Sequence, residues 1–361
     1  MTALPLAEQA EEILPREPRT PLSVYRTFVL PAEEAALNLA EHQNAQSRVI
    51  HARVIGYLLL YPPSPQARTV LAREISSCSD WEAVYDLGAK YIRHFIILFR
   101  KSRGKTPVPS SHPSRPSFDH DVRERLQDLQ RAPRDHSSAK VSALARDNYR
   151  CMVTGRVDTS SYLSGLTPLS PGEIGGYSNC CHIFPDSLGD IVSGAAGPDE
   201  HESATVWTIL KLFGYEDICE ELGFASRSAN LHRLENIMTL DMIVHEQFDR
   251  MNLWFQAIDG QNTYNVVLAP AVEGLARLVA IPEQVTFVSH RPELPLPSPK
   301  YLRIHAACCR IAHLSGAAEH LDVIFRDMEE LNVLAHDGSS ADVLTYALHH
   351  RLAAGVQVPL S

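Results

Sequence analysis

Nowhere among the seven cysteines of this 361-residue chain do two stand as a CxxC pair. A zinc knuckle built from four cysteines is therefore excluded. Seven is an odd number and the thiols are scattered, which fits reduced cysteines of a cytosolic or nuclear setting better than a disulfide framework. Long apolar runs are missing too. The longest, Val54 to Tyr61 and Phe95 to Phe99, fall far short of a membrane span. The N-terminal stretch MTALPLAEQAEEILPRE is acidic where a secretory signal would be basic and then apolar. An intracellular protein, of nucleus or cytoplasm, is the expectation. Overall positive charge is also absent, since the formal net charge of −10 argues against a general nucleic-acid coat protein.

What is present is ordinary for a folded protein: 45% hydrophobic and 21% charged residues, in a chain long enough for two or three cores. The charge is unevenly placed. From Arg93 to Arg156, fourteen Lys and Arg stand against six Asp and Glu, a local +8 that leaves −18 for the remainder. That stretch runs straight into the motif region described below, where a phosphate-binding surface would be useful. The alternative reading is a solvated, arginine-rich linker.

Periodicity divides the chain. Residues 1–104 read as a helical region, with Val49, Val54, Ile55 and Leu58 on one face. Pro62-Pro63-Ser64-Pro65 breaks that run, and a short helix is expected from Ala67 to Ile75. Asp80 caps a further helix with Leu87, Tyr91, Phe95 and Phe99 recurring every four or so residues. A Pro/Ser-rich linker covers 105–118, with short helices expected from Asp119 to Gln130 and from Ser137 to Asp147. Tyr149 to Gly155 looks like a strand entering a turn, and a short strand ends at Pro185. Thr205 to Leu222 reads as a helical hairpin or a broken helix. Thr239-Leu-Asp241 looks like a helix start with Asp241 as N-cap. Leu253 to Ile258 and Tyr264 to Leu268 flank Asp259-Gly260 as a hairpin, and Gln284 to Ser289 offers one more strand. A Pro-rich linker at 291–299 leads to C-terminal helices at about 300–314 and 318–353. The adjacent Cys308 and Cys309 are expected in the core.

Four fragments carry chemistry: Cys151-Met-Val-Thr-Gly155, Cys181-His182-Ile-Phe-Pro185, Glu235-Asn236-Ile-Met238 and His245-Glu-Gln-Phe-Asp249. On a helix, His245 and Asp249 share a face and can hold one ion, while Val244 and Phe248 face the core beside them. Imidazole with carboxylate suits Mg²⁺, Mn²⁺ or Zn²⁺. The order of a strand-end histidine, an asparagine, and a histidine nine positions further on resembles the HNH endonucleases, in the branch common in fungal proteins. The resemblance spans about 148–256.

The resemblance implies an α+β protein whose ββα-metal core cuts phosphodiesters of DNA, or of RNA. It implies an HNH-like domain over 119–290, with its core at about 148–270 and an insertion at 186–232, between the helical N-terminal region and a C-terminal helical region at 300–361. By position, His182 becomes the general base, Asn236 the organiser of the loop and His245 a metal ligand. Cys181 stands where many members carry Asp or His. It either fills a small-residue slot or binds a softer ion such as Zn²⁺ through its thiolate. Cys151 is read as core, and His201 and His232 receive no role. Two further readings stay open: a degenerate HNH scaffold that binds protein or nucleic acid, and a purely structural ion.

Overall fold

The computed structural model describes residues 1–14, 20–39, 45–100, 136–185, 188, 199–223 and 230–330. Its helices in chain order are α1 Ala7–Ile13, α2 Thr20–Val24, α3 Leu30–Asn38, α4 Ala45–Leu60, α5 Pro65–Ser76, α6 Trp81–Tyr91, α7 His136–Arg146, α8 Thr159–Leu163, α9 Asp199–Leu212, α10 Glu216–Glu221, α11 Met242–Asp249, α12 Leu275–Leu278, α13 Pro299–Ser315 and α14 Ala317–Glu330. The strands are β1 Val157–Asp158, β2 Gly175–Gly176, β3 Ser178–His182, β4 Ile237–Asp241, β5 Leu253–Ala257, β6 Thr263–Leu268 and β7 Gln284–Thr286. Helix and small sheets together make the protein α+β. Among the described residues no helix is long and apolar enough to cross a membrane. The expected helix at 119–130 and linker at 105–118 lie outside the described residues, as does everything after 330.

The chain divides into two compact units, the first from 1–98, 187–229 and 307–361, the second from 99–186 and 230–306. In the first, α4 is the central helix. Twelve of its sixteen residues are buried, so apolar contact extends around the helix beyond the single face that the spacing suggests. Arg53 on α4 is buried and pairs with the equally buried Glu33 at 2.5 Å, and Glu33 also accepts from the Leu4 amide at 3.2 Å. Ser64 starts α5 by accepting from the Ala67 amide at 3.0 Å, with Pro65 at the position where no amide is needed. Asp80 caps α6 in the same way, at 2.9 Å from the Ala83 amide. The described residues 199–223, within the insertion expected at 186–232, belong to this unit: Phe213 stacks on Tyr91 at 5.8 Å and meets Phe95 edge-on at 5.3 Å. Cys308 and Cys309 are fully buried.

In the second unit β3 and β4 pair antiparallel, with Cys181 opposite Met238 and His182 opposite Ile237. Helix α11 follows β4 directly, and the Asp241 carboxylate caps it by accepting from the Ile243 amide at 3.0 Å. α11 packs on this strand pair, as does α7. β5, β6 and β7 form a separate antiparallel sheet behind an open hairpin turn, in which Gly260 and Asn262 adopt positive φ.

Three expectations are corrected. Tyr149 to Gly155 is a turn, not a strand: Asn148 and Tyr149 have φ of 53° and 57°, and only Arg150 bridges to Val157. Thr239–Asp241 ends a strand instead of starting a helix, although Asp241 is the cap as expected. The strand expected to end at Pro185 stops at His182. The Pro-rich stretch 291–299 is irregular but fastened, since the Ser298 amide donates to Glu235 O at 2.8 Å and Pro295 O accepts from Arg146 at 3.1 Å.

Arg146 shows how this unit is tied. Its guanidinium is fully buried and grips the Asp147 carboxylate at 2.7 and 2.9 Å. It also donates to the carbonyls of Leu234 and Ile237, both at 2.9 Å, fixing the entry to β4 against the end of α7. A buried charge needs a partner and filled donor positions, and Arg146 has both.

Candidate metal centre

Two neighbouring residues of β3 head two different clusters, because successive side chains of a strand point to opposite faces. Cys181 faces α11. Its Sγ, a ring nitrogen of His245 and a carboxylate oxygen of Asp249 all lie within 4.8 Å of one another. His245 Nε2 is 3.1 Å from Asp249 Oδ2, and Cys181 Sγ is 4.0 Å from Asp249 Oδ1. The helix brings its two groups together by the four-residue step, and it is oriented by Phe248, whose ring stacks on buried His305 at 3.9 Å. Cys181 is fully buried, whereas the side chains of His245 and Asp249 retain 19% and 23% exposure, so the cluster opens to solvent on the helix side. Burial alone would drive the proton off His245, but the charge of the Cys181 sulfur and the hydrogen bond to Asp249 outweigh it and raise the imidazole to about 10.

The donor set fits a divalent ion. Ligand atoms at about 2.0–2.3 Å from a shared ion stand at most about 4.6 Å apart, and the separations of 3.1 and 4.0 Å fall inside that limit. Its chemistry is nitrogen, oxygen and sulfur, and the sulfur moves the preference from Mg²⁺ toward Zn²⁺.

His182 points to the other face of β3, the face of Cys180. It is buried at 4% exposure and its Nε2 lies 3.1 Å from His232 Nδ1. The His136 ring, from the first residue of α7, is 5.7 Å from the His182 ring. His136, Cys180 and His182 again offer ligand atoms within 4.8 Å of one another. His182 thus sits one peptide away from the Cys181 cluster and is not part of it.

Asn236 is fully buried and acts on the backbone: its amide donates to Phe184 O and Leu231 O, both at 2.9 Å, and its Oδ1 accepts from the Phe184 amide at 2.8 Å. It pins the chain leaving β3 to the chain entering β4, the loop-organising geometry. Cys151 is buried, and its sulfur accepts from the amides of Val153 and Thr154 at 3.4 Å, closing the turn.

The sequence reading gives His136, Cys180 and His232 no functional role. One signal was present in the letters: in Cys180-Cys181-His182 the first and third residues share a strand face. Nothing in linear spacing ties 136 or 232 to them. The chain matches no family model, no curated protein and no solved structure.

Proposed function

We propose that the protein is a metal-dependent endonuclease of the HNH type, with a ββα-metal core made of β3, β4 and α11, hydrolysing phosphodiesters of DNA, or of RNA. The observation that supports it is the convergence of Cys181, His245 and Asp249 on a strand pair that runs straight into the ligand-bearing helix, with His182 the next residue along β3. Cys181, His245 and Asp249 would hold the ion, with Zn²⁺ suiting the sulfur-containing set better than Mg²⁺ or Mn²⁺. A bound ion supplies positive charge against the pentacovalent phosphate and the leaving oxygen. The remaining work belongs to the chain. His182 takes the proton from the attacking water. In the tautomer that donates Nε2–H to His232, its Nδ1 is the basic nitrogen. Asn236 keeps the loop in place so that the base and the ligands stay in register. The basic stretch 93–156 supplies phosphate attraction.

The test is nicking of supercoiled plasmid with Zn²⁺, Mn²⁺ or Mg²⁺ added to metal-free protein. Wild type is expected to nick, and His182→Ala to lose at least about a hundredfold in rate while still binding metal. Equal rates for the two proteins overturn the assignment. A second reading, a scaffold that binds metal and nucleic acid without cutting, draws on the contact between His232 and the nitrogen of His182. It requires metal and DNA binding in the absence of nicking with any of the three ions.

A further inference from the structure

We propose that His136, Cys180 and His182 form a second metal site of zinc class, on the face of the β3–β4 pair opposite the first. The argument begins with the adjacent cysteines. Consecutive strand residues must diverge, so Cys180 and Cys181 cannot serve one ion, and each instead meets imidazole on its own side. On the α11 side Cys181 meets His245. On the α7 side Cys180 shares a face with His182 two residues on, and His136 is brought over them by the start of α7. The three ligand atoms fall within the same 4.8 Å span as the first set.

Composition points the same way. Two imidazoles and a thiolate are a soft, zinc-selective set, and three protein ligands leave a coordination position for water. Cys180 and His182 are buried at 5% and 4% exposure, while His136 is exposed, so an ion has a route in. Ligating histidines ordinarily use their second ring nitrogen to bond a fixed partner, which sets the ring and its tautomer. His232, 3.1 Å from His182 Nε2, is placed for that. The inference does not depend on the hydrolytic reading.

The experiment is a Co²⁺ titration of metal-free full-length protein, following stoichiometry and the thiolate-to-cobalt charge-transfer absorption. Wild type is expected to take up two equivalents, both with thiolate character. Cys180→Ala should keep one equivalent and about half the charge-transfer intensity, and Cys181→Ala should lose the other equivalent. His136→Gln changes an exposed residue and so tests the site without risk to folding. It should weaken one of the two equivalents by at least about a hundredfold, the upper end of the effect of removing even an outer partner of a ligand, and leave the other alone. Uptake of one equivalent by wild type, unaltered in Cys180→Ala and His136→Gln, overturns the proposal. Should Cys180→Ala fail to fold, two unchanged affinities in His136→Gln overturn it as well. One equivalent that is lost in Cys180→Ala but kept in Cys181→Ala would uphold this site and sink the first.

Discussion

The two proposals ask for His182 twice, as the nitrogen that takes a proton from water and as a ligand of the second ion. A lone pair serves one of these at a time, so on those proposals a filled His136–Cys180–His182 set would block hydrolysis, and excess Zn²⁺ should inhibit nicking. A different histidine adds a pH-dependent contribution to stability. Burial first, then the neighbouring charges of His320 and Arg93, lower His51 from 6.5 to about 4. The unfolded chain therefore takes up this proton near pH 6.5, while the folded chain resists it until about pH 4. Stability is full above pH 6.5 and falls as pH drops through that window. The loss from this group reaches roughly 3 kcal/mol at the low end, since each pH unit between the two titrations is worth about 1.36 kcal/mol. Urea unfolding at stepped pH should show this slope in wild type and a flatter one in His51→Gln. Parallel slopes would remove His51 as the cause. Of the residues at the candidate metal centre, those in the four motif fragments were legible because their types and spacing suit that chemistry. His136 and His232 were not, because only the folded strand pair brings them to Cys180 and His182.

At the scale of elements, what the letters disclosed depended on how each element meets solvent. The caps Ser64, Asp80 and Asp241 were readable, since an N-cap is a local bond between neighbours in sequence. The β5–β6 hairpin showed itself through its Asp-Gly turn. β4 did not: all five of its residues are buried, so the alternation that marks a half-exposed strand is missing, and Thr239–Asp241 reads as a helix start. Helix α6 holds a second unsignalled feature. A Cβ on Gly88 would lie 2.3 Å from the backbone oxygen of His51 on α4, so the two helices cross at a distance only glycine allows. Helix propensity taken alone favours Gly88→Ala by about 1 kcal/mol. The crossing reverses the sign, because the obstacle is backbone and cannot rotate away. Gly88→Ala is expected to destabilise by about 3 kcal/mol in chemical unfolding, and a more stable variant would show that the helices do not approach this closely.

Over the whole molecule, the proposed nuclease raises the question of how a chain of net charge −10 would hold a polyanion at all. The basic stretch 93–156 has to supply the attraction, but not all of it is available. Arg146 is sealed in the interior, Arg150 is paired with Glu173 at 2.8 Å, and Arg156 lies 3.5 Å from Asp241. The burden shifts to the earlier part of the stretch, where Lys101, Arg103 and Lys105 lie outside the described residues and contribute to the argument through their charge alone. Replacing these three by glutamine removes three positive charges and leaves every residue of the two candidate clusters unchanged. If each meets a phosphate, the dependence of log affinity on log salt should flatten by about 2.7, at 0.9 per contact on duplex DNA. Affinity at low salt should fall while plasmid nicking at saturating DNA stays at the wild-type rate. Anisotropy of a labelled duplex across a salt series measures the slope. A slope identical to wild type would make this stretch an inert linker and leave the acidic protein without an electrostatic handle on nucleic acid, which would favour a metal-binding scaffold for protein partners over an enzyme acting on DNA.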